Sequence, residues 1–317
     1  MVINRKPAII SIAGYKLTKQ EVQLLKKEKP WGVILFKRNI FSFQQTKKLT
    51  KQIRKCFNDR FYPILIDEEG GKVSRLSNLF NTREFSQYFF GNLYEINKKK
   101  GLLFYRYYLE TICNILNESG INVNTIPVMD LLQNSTHQII KERSYSANIN
   151  TIKSLGKLCI SFLKEKKIAA VAKHAPGHGC ANSDSHKKLP VVRKELKHLY
   201  STDFLLFRNL NCHFLMTAHV LYKKIDANFP ATHSKKIIKQ IIRKKLNFKG
   251  LIISDDISMK ALSKDLVLNA KEALNSGCNL VLYCNGKIQE SRRLLKNLEG
   301  IDKFTQKKTH QFYQFLR

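Results

Sequence analysis

The chain is short of negative charge: 24 Asp and Glu stand against 56 Lys and Arg, a formal net charge of +32 over 317 residues. Long apolar runs are also missing. The longest near the N-terminus, residues 8–13, is too short for the core of a secretory leader and far below the ~20 residues that span a bilayer. The sequence therefore predicts an untargeted cytoplasmic protein with no membrane insertion. Seven cysteines, at 56, 113, 159, 180, 212, 278 and 284, include no Cys-x-x-Cys spacing. That argues against a structural zinc site or a redox pair, and for reduced thiols acting as small hydrophobes. No Gly-x-Gly-x-x-Gly follows the first apolar run, which removes the simplest dinucleotide-binding site.

The positive charge is spread rather than gathered. Lysines recur along 47–55, 98–100, 235–245 and 303–308, with no module that interleaves aromatic and basic residues. Such a pattern reads as solvated helix faces of compositional origin, and nucleic acid is not expected as a partner.

What is present is an alternation. Apolar runs at 7–13, 32–36, 62–66, 121–132, 168–174, 213–219, 251–255 and 279–284 predict eight strands, the fourth run including its exit loop. Helical patterns fall at 18–27, with Thr18 as a cap, and at 44–56, 102–116, 150–164, 194–209, 234–246 and 259–275, and from 288 toward Phe315. Apolar strands alternating with helices imply a buried parallel sheet, and eight units in this length fit an α/β fold of the closed (β/α)8 kind. The expectation is a single catalytic domain over 1–317, its last ~15 residues a C-terminal helical extension.

In such a barrel the chemistry collects where strands end. Asp67 ends the third strand, Arg143 follows the fourth, Lys173 and His174 end the fifth, His219 the sixth and Asp255 the seventh. The fifth strand runs into Lys-His-Ala-Pro-Gly-His-Gly-Cys-Ala-Asn-Ser-Asp-Ser-His at 173–186. Pro176 and Gly177 break any helix there, so His174 and His178 are not expected to share a helical face as two zinc ligands. Asp184 and His186, two apart in an extended segment, project to one side, and the carboxylate is placed to orient the imidazole. Asp255 and Asp256 leave their strand in opposite directions: one is expected to face the mouth, as nucleophile or metal ligand, and the other to cap the next helix.

Three ordered motifs carry a resemblance: Asp67-Glu68-Glu69-Gly70-Gly71-Lys72-Val73-x-Arg75, Lys173-His174-x-Pro-Gly-His-Gly-x4-Asp184-x-His186, and Ser254-Asp255-Asp256-Ile257-Ser258-Met259. Together with Glu142-Arg143-Ser144-Tyr145 and Thr217-Ala218-His219, the chain resembles glycoside hydrolase family 3, particularly its bacterial β-N-acetylhexosaminidases. Ala175 and Lys72 depart from the family's usual bulky apolar residue and arginine.

The resemblance implies a single-domain cytoplasmic barrel that uses no cofactor and no metal. It implies Asp255 as nucleophile, His186 held by Asp184 as general acid/base, and Asp67, Arg75, Arg143, Lys173 and His174 as substrate-binding residues. The implied partner is a saccharide ending in N-acetylglucosamine, an anhydromuropeptide of cell-wall recycling; a monomer is the default expectation. A histidine donor suits neutral pH, since its ordinary pKa is about 6.5 and no carboxyl need be raised. Two other reactions stand beside this reading: a phosphorylase on the same site, and a metal-dependent hydrolase using His174, His178, Asp184 and His186 as ligands.

Overall fold

The computed structural model describes residues 4–133, 141–181 and 188–317. Eight parallel strands close into a barrel: β1 (Lys6–Ser11), β2 (Pro30–Leu35), β3 (Ile64–Ile66), β4 (Val123–Asn124), β5 (Ala169–Ala175), β7 (Phe214–Thr217), β9 (Leu251–Asp256) and β10 (Leu280–Tyr283), the last pairing with the first. Two short strands outside the barrel, β6 (Val191–Val192) and β8 (Leu221–Tyr222), pair with each other. All eight predicted strands are in place, and the (β/α)8 fold is as expected.

The alternation of side chains explains the two cores. Ile9, Trp31, Leu65, Val123, Ala169, Val171, Phe214, Met216, Leu251, Ile253, Leu280 and Leu282 fill the barrel interior, while their strand neighbours pack outward under the helices. The C-terminal helix Lys303–Leu316 closes the floor of this interior. Phe312 is fully buried against Trp31 and Phe214, and the Trp31 indole N–H donates to Thr309 Oγ1 at 2.9 Å.

Local sequence sets most helix starts. Thr18 and Glu21 form a reciprocal capping box ahead of the helix Lys19–Glu28. The predicted helix at 194–209 is instead two pieces, Leu196–Ser201 and a 3-10 turn Asp203–Phe207. The break buries Asp203, whose carboxylate accepts from Thr202 Oγ1, Cys180 Sγ and Gln133 Nε2 at 3.1, 3.2 and 2.8 Å. The helix predicted from 259 begins only at Leu266, because Asp265, not Asp256, caps it by accepting from the Val267 N–H. The helix Gln87–Ile96 was not foreseen.

Candidate active site

Strand β3 delivers Asp67 to the barrel mouth, and the residues after it fold back around Glu68. That buried carboxylate accepts from the backbone N–H of Gly70, Arg75 and Leu76 at 3.1, 2.5 and 2.8 Å and from the Thr82 hydroxyl at 3.0 Å. Gly70 and Gly71, with φ of 79° and 59°, permit the reversal, and a Cβ on Gly70 would lie 2.2 Å from the Phe85 carbonyl oxygen. Asn124 of β4 locks the turn by exchanging hydrogen bonds with the Glu68 backbone at 3.1 and 3.0 Å. Burial pushes the Glu68 carboxyl up to about 6 despite these donors.

The reversal returns Arg75 onto Asp67, Nη2 to Oδ2 at 2.6 Å. The other Asp67 oxygen takes Lys173 Nζ at 2.7 Å and the Thr125 hydroxyl at 2.6 Å. Burial alone would raise this carboxyl, but Lys173 and Arg75 outweigh it and hold Asp67 well below the usual carboxylate range. Lys173, 2 % exposed, also meets Glu69 Oε1 at 2.5 Å. Glu69 is in turn gripped by Arg143 through Nε at 2.7 Å and Nη2 at 2.8 Å. Burial opposes the charge on Lys173, yet Asp67 and Glu69 raise it above its ordinary value and keep it an ammonium.

His174 links this lattice to a second buried carboxylate. Its Nδ1 lies 2.6 Å from Asp130 Oδ2, while Arg143 Nη2 approaches Nε2 at 3.2 Å. Because a guanidinium only donates, this assigns the proton to Nδ1, donated to Asp130, and leaves Nε2 accepting from Arg143. Asp130 also accepts the His178 backbone N–H at 2.7 Å. Burial pushes the His178 imidazole down to about 4, and its Nδ1 has no hydrogen-bond partner among the described residues.

Two bulges aim the strand ends. In the β5–β7 ladder Ala172 pairs with Leu215 but Ala175 pairs with Thr217, so one extra residue enters β5 at Lys173 and His174. In the β10–β9 ladder Leu280 pairs with Ile253 and Leu282 with Asp256, so β9 gains one at Ser254 and Asp255. Strict alternation would send one of each neighbouring pair to the outside; a bulge re-aims the side chains beside it.

Asp255 accepts from the Asp256 N–H at 2.8 Å, its one hydrogen bond among the described residues. Burial would raise its carboxyl, but His219, His174, the Asp256 N–H and Lys173 together hold it below the ordinary value. Asp255 is thus ionised, and among the described residues its second oxygen takes no donor. Asp256 points away, accepting from Ser258 N–H and hydroxyl at 3.1 and 2.8 Å, and its carbonyl accepts from His219 Nε2 at 3.0 Å. Burial pushes the His219 imidazole down, against the pull of Asp255.

Asp67, Arg75, Arg143, Lys173 and His174 therefore form one connected cluster, with Asp255 inside its field. Asp184 and His186 lie outside the described residues. Glu69 and Asp130, which fix Arg143, Lys173 and His174, went unrecognised in the sequence; the crowded acidic run after the third strand was the only signal for Glu69. The described residues contain no group of three or more His, Cys, Asp or Glu able to hold a metal ion. Both ring nitrogens of His174 are occupied, one by a cation, which disfavours it as a ligand.

Residues 3–311 match the family described as glycosyl hydrolase family 3 N terminal domain. A β-hexosaminidase from Methylobacillus flagellatus is 34% identical over 300 residues, covering 92% of this chain and 84% of the relative. One from Psychromonas ingrahamii is 33% identical over 299 residues, covering 89% and 83%. The crystal structure of NagZ from Neisseria gonorrhoeae in complex with N-trifluoroacetyl-D-glucosamine superposes with a TM-score of 0.89 at 27% identity, covering 100% of this chain and 91% of that one. With agreement along almost the whole sequence and the same barrel around the carboxylate cluster, the chain belongs to glycosyl hydrolase family 3 and is a glycoside hydrolase.

Proposed function

We propose that the whole 317-residue chain is one catalytic unit, a retaining exo-β-N-acetylglucosaminidase acting on peptidoglycan-derived muropeptides in cytoplasmic cell-wall recycling. The observation that carries the reading is Asp255: a buried carboxylate at the barrel mouth, held below its ordinary value by His219, His174, the Asp256 N–H and Lys173, with that N–H its one hydrogen-bond donor among the described residues. The names of the relatives supply the sugar class.

In this reading Asp255 attacks the anomeric carbon, and His186, oriented by Asp184, protonates the departing glycosidic oxygen. The resulting glycosyl ester is broken by water, which gives its proton back to His186 while Asp255 leaves as carboxylate. Asp67, Arg75, Arg143, Lys173 and His174 hold the sugar. Asp67 and the cations beside it offer acceptors and donors to adjacent hydroxyls, and their prior hydrogen bonds fix them in place before substrate arrives.

The test is release of 4-nitrophenol from its N-acetyl-β-glucosaminide, with EDTA and with added phosphate. EDTA-resistant, phosphate-independent turnover that Asp255→Ala abolishes is the expected result. A requirement for phosphate would make the protein a phosphorylase, and loss with EDTA would return the metal-dependent reading.

A further inference from the structure

The opposite end of the barrel carries a second, differently built pocket. It has a volume of about 360 Å³ and opens among the segments that precede β7 and β9 and the C-terminal helix. Lys164, Lys249 and Lys308 line it with the carboxamides of Asn209, Asn211, Asn247 and Gln311, and among the described residues no acidic side chain lines it. The His213 imidazole sits in the wall, its ring 4.4 Å from that of Phe315.

The charges here are unanswered. Among the described residues none of the three lysine ammonium groups forms an ion pair or a hydrogen bond; Lys308 has only the face of Phe304, 5.8 Å from the ring centre. Burial and the positive charges of Lys307, Arg243 and Lys249 push the Lys308 ammonium down. Burial, Lys164 and Lys308 push the His213 imidazole down to about 4, so it enters the site uncharged at neutral pH. Three cations lining one concave, amide-rich wall attract an anion with several charges.

We propose that this pocket at the amino-terminal end of the barrel binds a small diphosphate-bearing anion, remote from the glycosidase site. The lysines neutralise the phosphoryl oxygens and the carboxamide N–H groups donate to them.

Isothermal titration of the full-length protein with inorganic pyrophosphate and with adenosine diphosphate tests it and separates a bare diphosphate from a diphosphate ester. The variants are Lys164→Ala/Lys249→Ala/Lys308→Ala and a control of equal charge loss, Lys98→Ala/Lys99→Ala/Lys100→Ala, at exposed helix positions. Saturable binding of either probe, weakened about tenfold or more in the pocket variant by loss of three close charges but not in the control, is the expected result. Retained glycosidase activity shows that the pocket variant is folded. Equal weakening in both variants would reduce the effect to net charge and overturn the proposal, as would an absence of saturable binding of both probes.

Discussion

Lys173 sits between Asp67 and Glu69 with almost no access to water, and its role follows from what would remain without it. Lys173→Met leaves two buried carboxylates short of a cation. Breaking a buried pair from one side costs about 3–5 kcal/mol, which denaturant unfolding should register as a fall in stability. Glu69→Gln is the subtler change: it keeps the shape but removes the charge that grips Arg143. Its expected signature is a raised KM and a lowered kcat together, since Arg143 and His174 would lose their fixed positions. The sequence reveals Asp67, Lys173 and His174 as mouth residues from strand ends alone. It hides Asp130, because that contact joins positions 44 apart and a loop aspartate has no distinguishing local pattern.

At the scale of the element, the bulges in β5 and β9 are what allow neighbouring residues to serve one site. They are invisible in an apolar run, since a bulge is a property of two strands in register. The strands themselves were legible because buried parallel strands read as continuous apolar stretches, and Thr18 was legible because capping is local. The split helix at 196–207 was not: Asp203 is drawn into tertiary contact with Cys180, which overrides a helical periodicity. A Cβ on Gly177 would lie 2.5 Å from the Cβ of Asp203, so this aspartate also braces the loop that leads toward Asp184 and His186. The floor of the barrel makes the element-scale prediction. Phe312→Ala opens a cavity against Trp31 and Phe214 and should cost about 3–5 kcal/mol, read as a lowered midpoint in urea.

For the whole molecule, the shifted carboxyls set the response to acid. Asp67, Glu69, Asp130 and Asp255 all lie below their ordinary values in the folded state, burial being outweighed by neighbouring Lys173, Arg143, His174 and His219 respectively. The unfolded chain then takes up more protons in acid. Stability is full above the ordinary carboxyl values of about 4 and is lost as pH falls through the folded ones. Thermal midpoints measured downward from pH 6 should fall steeply below about pH 4, and Lys173→Met, which leaves the burial of Asp67 and Glu69 less opposed and so raises their folded-state values, should make that fall shallower. No helix among the described residues is long and apolar enough to cross a membrane, in line with the short apolar runs of the sequence.

The claim that Asp255 forms a bond to the sugar is tested most directly by trapping that bond. 4-Nitrophenolate leaves without protonation, so His186→Ala should still glycosylate Asp255 from the nitrophenyl glycoside. Activation of the water then lacks its base, a loss of about 10²–10⁴-fold, and the ester accumulates. Mass spectrometry of a quenched digest should find one N-acetylglucosaminyl group on the peptide carrying Asp255, absent when Asp255→Ala is added to the variant. A burst of nitrophenol with that peptide unmodified, or with the sugar on another residue, would contradict the assignment.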